Sequence, residues 1–195
     1  LMARANILSI YPFAIAYIAV LAMDSNKYVI PGLLGIIVGV FSVHNPTLFY
    51  LILPATLLCA VIIPKIKGRR ADLILLPVLP ALFTIIAGMG SLWIADGIGQ
   101  EMLILMVAQG ALVAGFSIIF HYALQYKDSL TKGSFNGEQG LVWILTLSVL
   151  LSGLQGLNIG QINIQIVVLG FFILYIADRF GAGTAAGAGA IFGFL

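Results

Sequence analysis

The residues able to do chemistry in this chain are few and scattered. His44 and His121 are the only histidines, and Cys59 is the only cysteine. A zinc centre needs three or four Cys, His or carboxylate ligands at defined spacing, and no such cluster accompanies either histidine. Asp96 and Glu101 bracket a lysine-free loop that could attract a cation, although solvated loop charges are the plainer reading. No serine sits in a GxSxG setting, and no base is spaced to activate one. Cys59 lies inside an apolar run, can form no intramolecular disulfide, and reads as a small packed hydrophobe. Gly181-Ala182-Gly183-Thr184-Ala185-Ala186 has the look of a degraded dinucleotide fingerprint. A working fingerprint follows a short strand and has an acidic ribose partner about 20 residues on. Here the preceding run looks membrane-spanning, and the given sequence ends before such a partner would be reached. The reading is therefore of a chain with no catalytic, cofactor-binding or metal residue of its own.

The elements that would position any such site are dominated by apolar sequence. Of 195 residues, 62% are hydrophobic and 8% are charged, whereas an ordinary soluble domain is about a quarter charged. Nine basic and seven acidic residues cannot cover a globule of this length without leaving very large apolar patches. Lipid is the expected solvent. A net charge of +2, carried in short loops, suits a topology signal better than a phosphate-binding face and argues against nucleic acid.

A spanning helix takes about 20 mainly apolar residues. Seven segments approach that length: Ile7 to Met23, Tyr28 to Val43, Thr47 to Ile63, Leu73 to Ala95, Met102 to Leu124, Leu141 to Leu157 and Ile162 to Ala177. A small-residue run begins at Gly181. The expected fold is an all-α polytopic transmembrane bundle of seven to eight helices, one membrane domain over residues 1–195. Residues 1–8 read as the tail of an upstream helix, and the run from 181 as a helix cut short. The second and seventh segments are short for a vertical span and are expected to be re-entrant or longer by a turn.

Every formal charge lies between these segments or at Arg4, away from mid-membrane depth, where ionisable groups are expensive and mark transport pathways. Lys27, then Lys65, Lys67, Arg69 and Arg70, then Lys127 and Lys132, then Arg179 fall on one side, against Arg4 on the other. The basic loop Lys65 to Arg70 is therefore placed in the cytoplasm, against anionic lipid. Tyr28, Trp93, Tyr122, Tyr126, Trp143 and Tyr175 lie near segment ends, at headgroup level. Pro12, Pro54, Pro77 and Pro80 fall within apolar runs, where each removes a backbone donor and can kink the span.

Glycine supplies the strongest internal pattern. Gly35 and Gly39 form a GxxxG pair, and Gly153, Gly156 and Gly160 recur at one-face spacing. Gly181, Ala185, Gly189 and Gly193 repeat every four residues, with Gly183 and Gly187 on a neighbouring line. Small side chains let backbones approach closely in lipid, so these glycines are expected at helix crossings, self-association included.

Several motifs, in order, resemble the membrane region of the stage II sporulation protein E family. They are Ala3-Arg4-Ala5, Leu8-Ser9 and Pro12-Phe13-Ala14, then Glu138 ahead of a helix holding Leu151-Ser152-Gly153-Leu154. Gly181-Ala182-Gly183-Thr184-Ala185-Ala186-Gly187 and Ile191-Phe192-Gly193 complete the succession. Ala3 stands where the family typically has glycine. The resemblance implies a membrane anchor of about ten helices, a linker engaging the division machinery including FtsZ, and a downstream manganese-dependent PPM-type serine/threonine phosphatase. In such relatives that phosphatase activates the first forespore sigma factor at the asymmetric septum. This chain would then be most of the anchor, with no phosphatase residues. The alternative is a small multi-helix transporter or substrate-binding membrane subunit, suggested by the kinking prolines and glycine faces. An embedded lipid-acting enzyme ranks last, for want of convergent acidic, histidine or serine groups.

Overall fold

Long apolar runs with brief polar punctuation leave the backbone one economical solution, the helix, which satisfies its own hydrogen bonds. In the computed structural model, residues 2, 4, 5, 11–24, 26–42, 46–66, 72–94, 100–126, 137–155, 158–160 and 162–193 are described. Among them are eight α-helices: α1 (Phe13–Asp24), α2 (Val29–Phe41), α3 (Pro46–Ile66), α4 (Asp72–Ile94), α5 (Gln100–Gln125), α6 (Gly137–Ser152), α7 (Ile164–Phe180) and α8 (Ala182–Gly193). A 3₁₀ turn, Asn26–Tyr28, leads from α1 into α2. Between α6 and α7 lies an antiparallel ladder of β1 (Asn158–Ile159) and β2 (Ile162–Asn163). It is too short to change the all-α class.

Local chemistry sets the ends. Pro46 opens α3, a position where a missing N–H is no loss. Asn163 caps α7, its side-chain oxygen accepting from the Gln165 amide at 2.9 Å. Gly160 and Gly181 adopt φ of +62° and +86°, which L side chains rarely tolerate. Gly181 thereby separates α7 from α8 while its amide still donates to the Ala177 carbonyl at 3.1 Å.

At the centre stands α1, with ten of its twelve residues buried. It packs against α2, α3, α4 and α5, as a helix apolar on every side requires. Edge-to-face rings tie it to α5, Phe13 to Phe116 at 4.6 Å and Tyr17 to Phe120 at 6.2 Å. Both partners advance by four residues, so α1 and α5 run in the same direction. Helices α4 and α5 run oppositely, with Gly88 beside Met106 and Gly110 beside Ile85. A second apolar cluster joins Leu151 of α6, Ile176 of α7, and Ala185, Ala188 and Phe192 of α8.

The outward faces are also apolar. Val38, Ile74, Ile104 and Leu174, on four different helices, are each about 70% exposed. Among the described residues one helix, Leu103–Gln125, is both long and apolar enough to cross a membrane. In the other apolar helices the stretches whose side chains are described are 10–17 residues long, Leu51–Ile66 of α3 and Ile74–Gly90 of α4 among them.

Three boundaries differ from the sequence expectation by four residues or more, one of them the start of α6 at Gly137 rather than Leu141. Helix α1 begins at Phe13 rather than Ile7: Pro12 precedes it, with its carbonyl accepting from the Ala16 amide at 3.2 Å, so the ring breaks no helical bond. Helix α6 stops at Ser152, and a turn in which Leu154 and Gln155 donate to the Leu151 and Ser152 carbonyls replaces the last expected turns. Gly153 and Gly160 therefore do not share one helix.

Candidate functional site

Among the described residues an open cleft of about 660 Å³ lies between α1, α2, α5 and α6. The shared direction of α1 and α5 sets its position. Tyr17, Leu21, Phe120 and Leu124 of these two helices form one wall, and Pro31 and Gly35 of α2 with Trp143, Thr146 and Leu150 of α6 form the other. Met2 of the N-terminal segment also lines it. That segment is tied to the turn after α6 by Arg4, whose guanidinium donates to the Gln155 carbonyl at 3.3 Å.

The lining is almost wholly apolar. Thr146 contributes a hydroxyl, but that group donates to the Val142 carbonyl at 2.8 Å on its own helix. The Trp143 indole N–H is buried without a hydrogen-bond partner. At the rim, Tyr28 is half exposed, and the Lys27 ammonium lies 6.0 Å from its ring centroid. Size and lining fit the usual small-molecule pocket, about 300–1,000 Å³ and mostly apolar. Such a surface can hold a flexible apolar group.

Elsewhere the interior follows one rule. Thr56, Thr84, Ser117, Ser148 and Ser152 are buried, and each hydroxyl donates to a carbonyl three or four residues earlier on its own helix. Gln109 departs from it. This side chain on α5 is 8% exposed, and its amide nitrogen has no hydrogen-bond partner. Among the described residues no group of three or more His, Cys, Asp or Glu could hold a metal ion. His121 is paired with Gln125, ring nitrogen to amide nitrogen at 2.9 Å, beside the stacked rings of Tyr122 and Tyr126. Cys59 is fully buried in α3. Gly181 follows a helix rather than the strand a dinucleotide fingerprint needs.

The sequence-derived glycines fall in varied settings. Gly35 lines the cleft, and a Cβ there would meet nothing within 4 Å; the same open space surrounds Gly160, Gly181, Gly183, Gly187 and Gly193. Gly39 and Gly153 are buried, and a Cβ on Gly189 would touch Ile173 of α7 at 3.7 Å. Gly156 lies outside the described residues. Of the basic loop, Lys65 is exposed at the end of α3, while Lys67, Arg69 and Arg70 lie outside the described residues, as does His44. The side chains of Trp93, Glu101 and Arg179 are likewise outside.

Close contacts also occur at three glycines that motif spacing did not single out. A Cβ on Gly32 would sit 2.8 Å from Leu21 Cδ1, one on Gly88 2.9 Å from Met106 Sδ, and one on Gly110 3.1 Å from Ile85 Cδ1. Gly88 and Gly110 face opposite partners across the α4–α5 seam. Their signal in the sequence is position alone: lone glycines deep in long apolar runs, where helix propensity disfavours them.

Residues 1–195, the whole chain, match the family model described as SpoIIE, N-terminal domain. No curated protein and no solved structure matches the chain.

Proposed function

The chain belongs to the SpoIIE N-terminal domain family and is part of a SpoIIE-related sporulation protein, and from that premise we infer that it is a multi-pass membrane anchor and localisation domain. One observation carries the reading. Large apolar side chains point outward from α2, α3, α4, α5 and α7, while interior hydroxyls are turned onto their own helices. In water that arrangement would expose far more contiguous apolar surface than a soluble monomer tolerates; in lipid it costs little. The common direction of α1 and α5 supports it, since the loops after both then emerge at one end, the end given Lys27, Lys127 and Lys132 by the charge count.

On this reading the family's catalysis lies outside these residues, in a manganese-dependent PPM-type serine/threonine phosphatase. The described residues offer that metal no ligand set, and no step of its chemistry is built on them. Contact with the division machinery, FtsZ included, and placement at the sporulation septum are proposed for the full protein on the same basis. The transporter alternative needs a polar cavity near mid-depth, whereas the lining of the cleft is mostly apolar. A fluorescent fusion of residues 1–195 tests the anchor. It is expected to label the cell membrane, and diffuse cytosolic signal would overturn the reading.

A further inference from the structure

We propose that the cleft between α1, α2, α5 and α6 is a phospholipid site that takes one acyl chain, with the anionic headgroup held at the rim by Lys27. The inference rests on the membrane reading above. The cleft's length comes from Leu21, Phe120 and Leu124, whose side chains offer only van der Waals contact to an occupant. Gly35 contributes open space, with nothing within 4 Å of where a side chain would begin. Apart from the Trp143 indole N–H and the Tyr17 hydroxyl the wall offers little to a polar occupant, so most buried polar groups of a sugar, a nucleotide or a peptide backbone would go unpaired.

An acyl chain has no such groups, and its phosphate must then lie at the mouth. Tyr28 forms that mouth, half exposed, with the Lys27 ammonium 6.0 Å from its ring. An aromatic ring and a lysine side by side are the usual furniture of the headgroup layer. Lys27, held beside Tyr28, stands where it can complement an anionic headgroup.

The test uses Trp143, which lines the cleft. The full chain carrying Trp93→Phe is reconstituted in vesicles of phosphatidylglycerol and phosphatidylethanolamine in equal parts, and incorporation is checked by flotation. Trp143 emission is then read with phosphatidylglycerol brominated on its acyl chains. Strong quenching is expected. It should fall several-fold in Gly35→Phe, whose ring fills the cleft, and persist in Gly115→Phe, where an added side chain also meets open space but lines no part of the cleft. Lys27→Gln, a surface change that spares the fold, should remove a preference of about fivefold for brominated phosphatidylglycerol over brominated phosphatidylcholine. Equal quenching in the Gly35→Phe and Gly115→Phe proteins, or a headgroup preference untouched by Lys27→Gln, would overturn the site. Failure to float would instead overturn the membrane reading beneath it.

Discussion

Gln109 and Gly110 are neighbours on α5 that make opposite demands on the interior. The buried Gln109 amide nitrogen lacks a partner, and an unsatisfied buried donor carries its full desolvation cost. Gln109→Leu is therefore expected to raise stability by about 1 kcal/mol, read as a higher midpoint in detergent denaturation. Lower stability would reveal a hydrogen bond formed under native conditions. Gly110 admits its neighbour because it has no side chain: even a Cβ would lie 3.1 Å from Ile85 and 3.4 Å from the Ala81 carbonyl. Gly110→Leu should destabilise the α4–α5 seam by about 1–3 kcal/mol through overpacking. Gly115→Leu on the same helix, facing open space, should leave the denaturation midpoint nearly unchanged. The contrast separates close packing from helix propensity, which both substitutions improve equally.

At the scale of elements, α1 carries the most packing per residue. Ile15, Ile18 and Val20 are fully buried within it, so Ile18→Ala should cost about 2–5 kcal/mol, measurable by the same denaturation assay. A change smaller than that of Val38→Ala on the exposed face of α2 would refute its central placement. Apolar runs in the sequence located α3, α4 and α5 to within a few residues, because continuous hydrophobicity between charged loops leaves little choice of helix ends. The start of α1 and the end of α6 were less legible. Both depend on local hydrogen bonds, around Pro12 and after Ser152, which composition does not record. The cleft was invisible for a related reason: it arises where Tyr17, Gly35, Phe120 and Trp143 meet from four helices, and no spacing within one segment encodes that meeting. Glycine periodicity did not single out Gly32, Gly88 or Gly110, where an added Cβ would lie within 3.1 Å of a facing side chain, since contact needs a facing partner as well as a small residue.

For the whole molecule, the governing question is what surrounds it. Val107 points outward from α5, the one described helix that meets both length and hydropathy for a span. Val107→Arg should impair insertion by up to about 2.5–3.5 kcal/mol, the cost of arginine at mid-bilayer. The readout is the carbonate-resistant fraction in membranes, and an unchanged fraction would argue that α5 does not face lipid. Orientation is testable with equal economy. Cys59 is the only cysteine and is fully buried, so native protein should resist maleimide. Lys65→Cys, at the exposed end of α3, should label from the cytoplasmic face of inverted vesicles and stay silent in intact cells treated with an impermeant reagent. The reverse pattern would invert the topology.

The wrapping of α1 also has a consequence in time. Its ring partner Phe116 lies about a hundred residues downstream of Phe13, and ribosomes add roughly 5–20 residues each second. The innermost element is thus synthesised early and completed late, waiting on the order of 5–20 s with its flanks against lipid or the insertion machinery. Tight burial at Ala14, Ala16, Ala19 and Ala22, whose methyl groups offer little for a wrong neighbour to grip, suits a helix that must remain uncommitted through that interval.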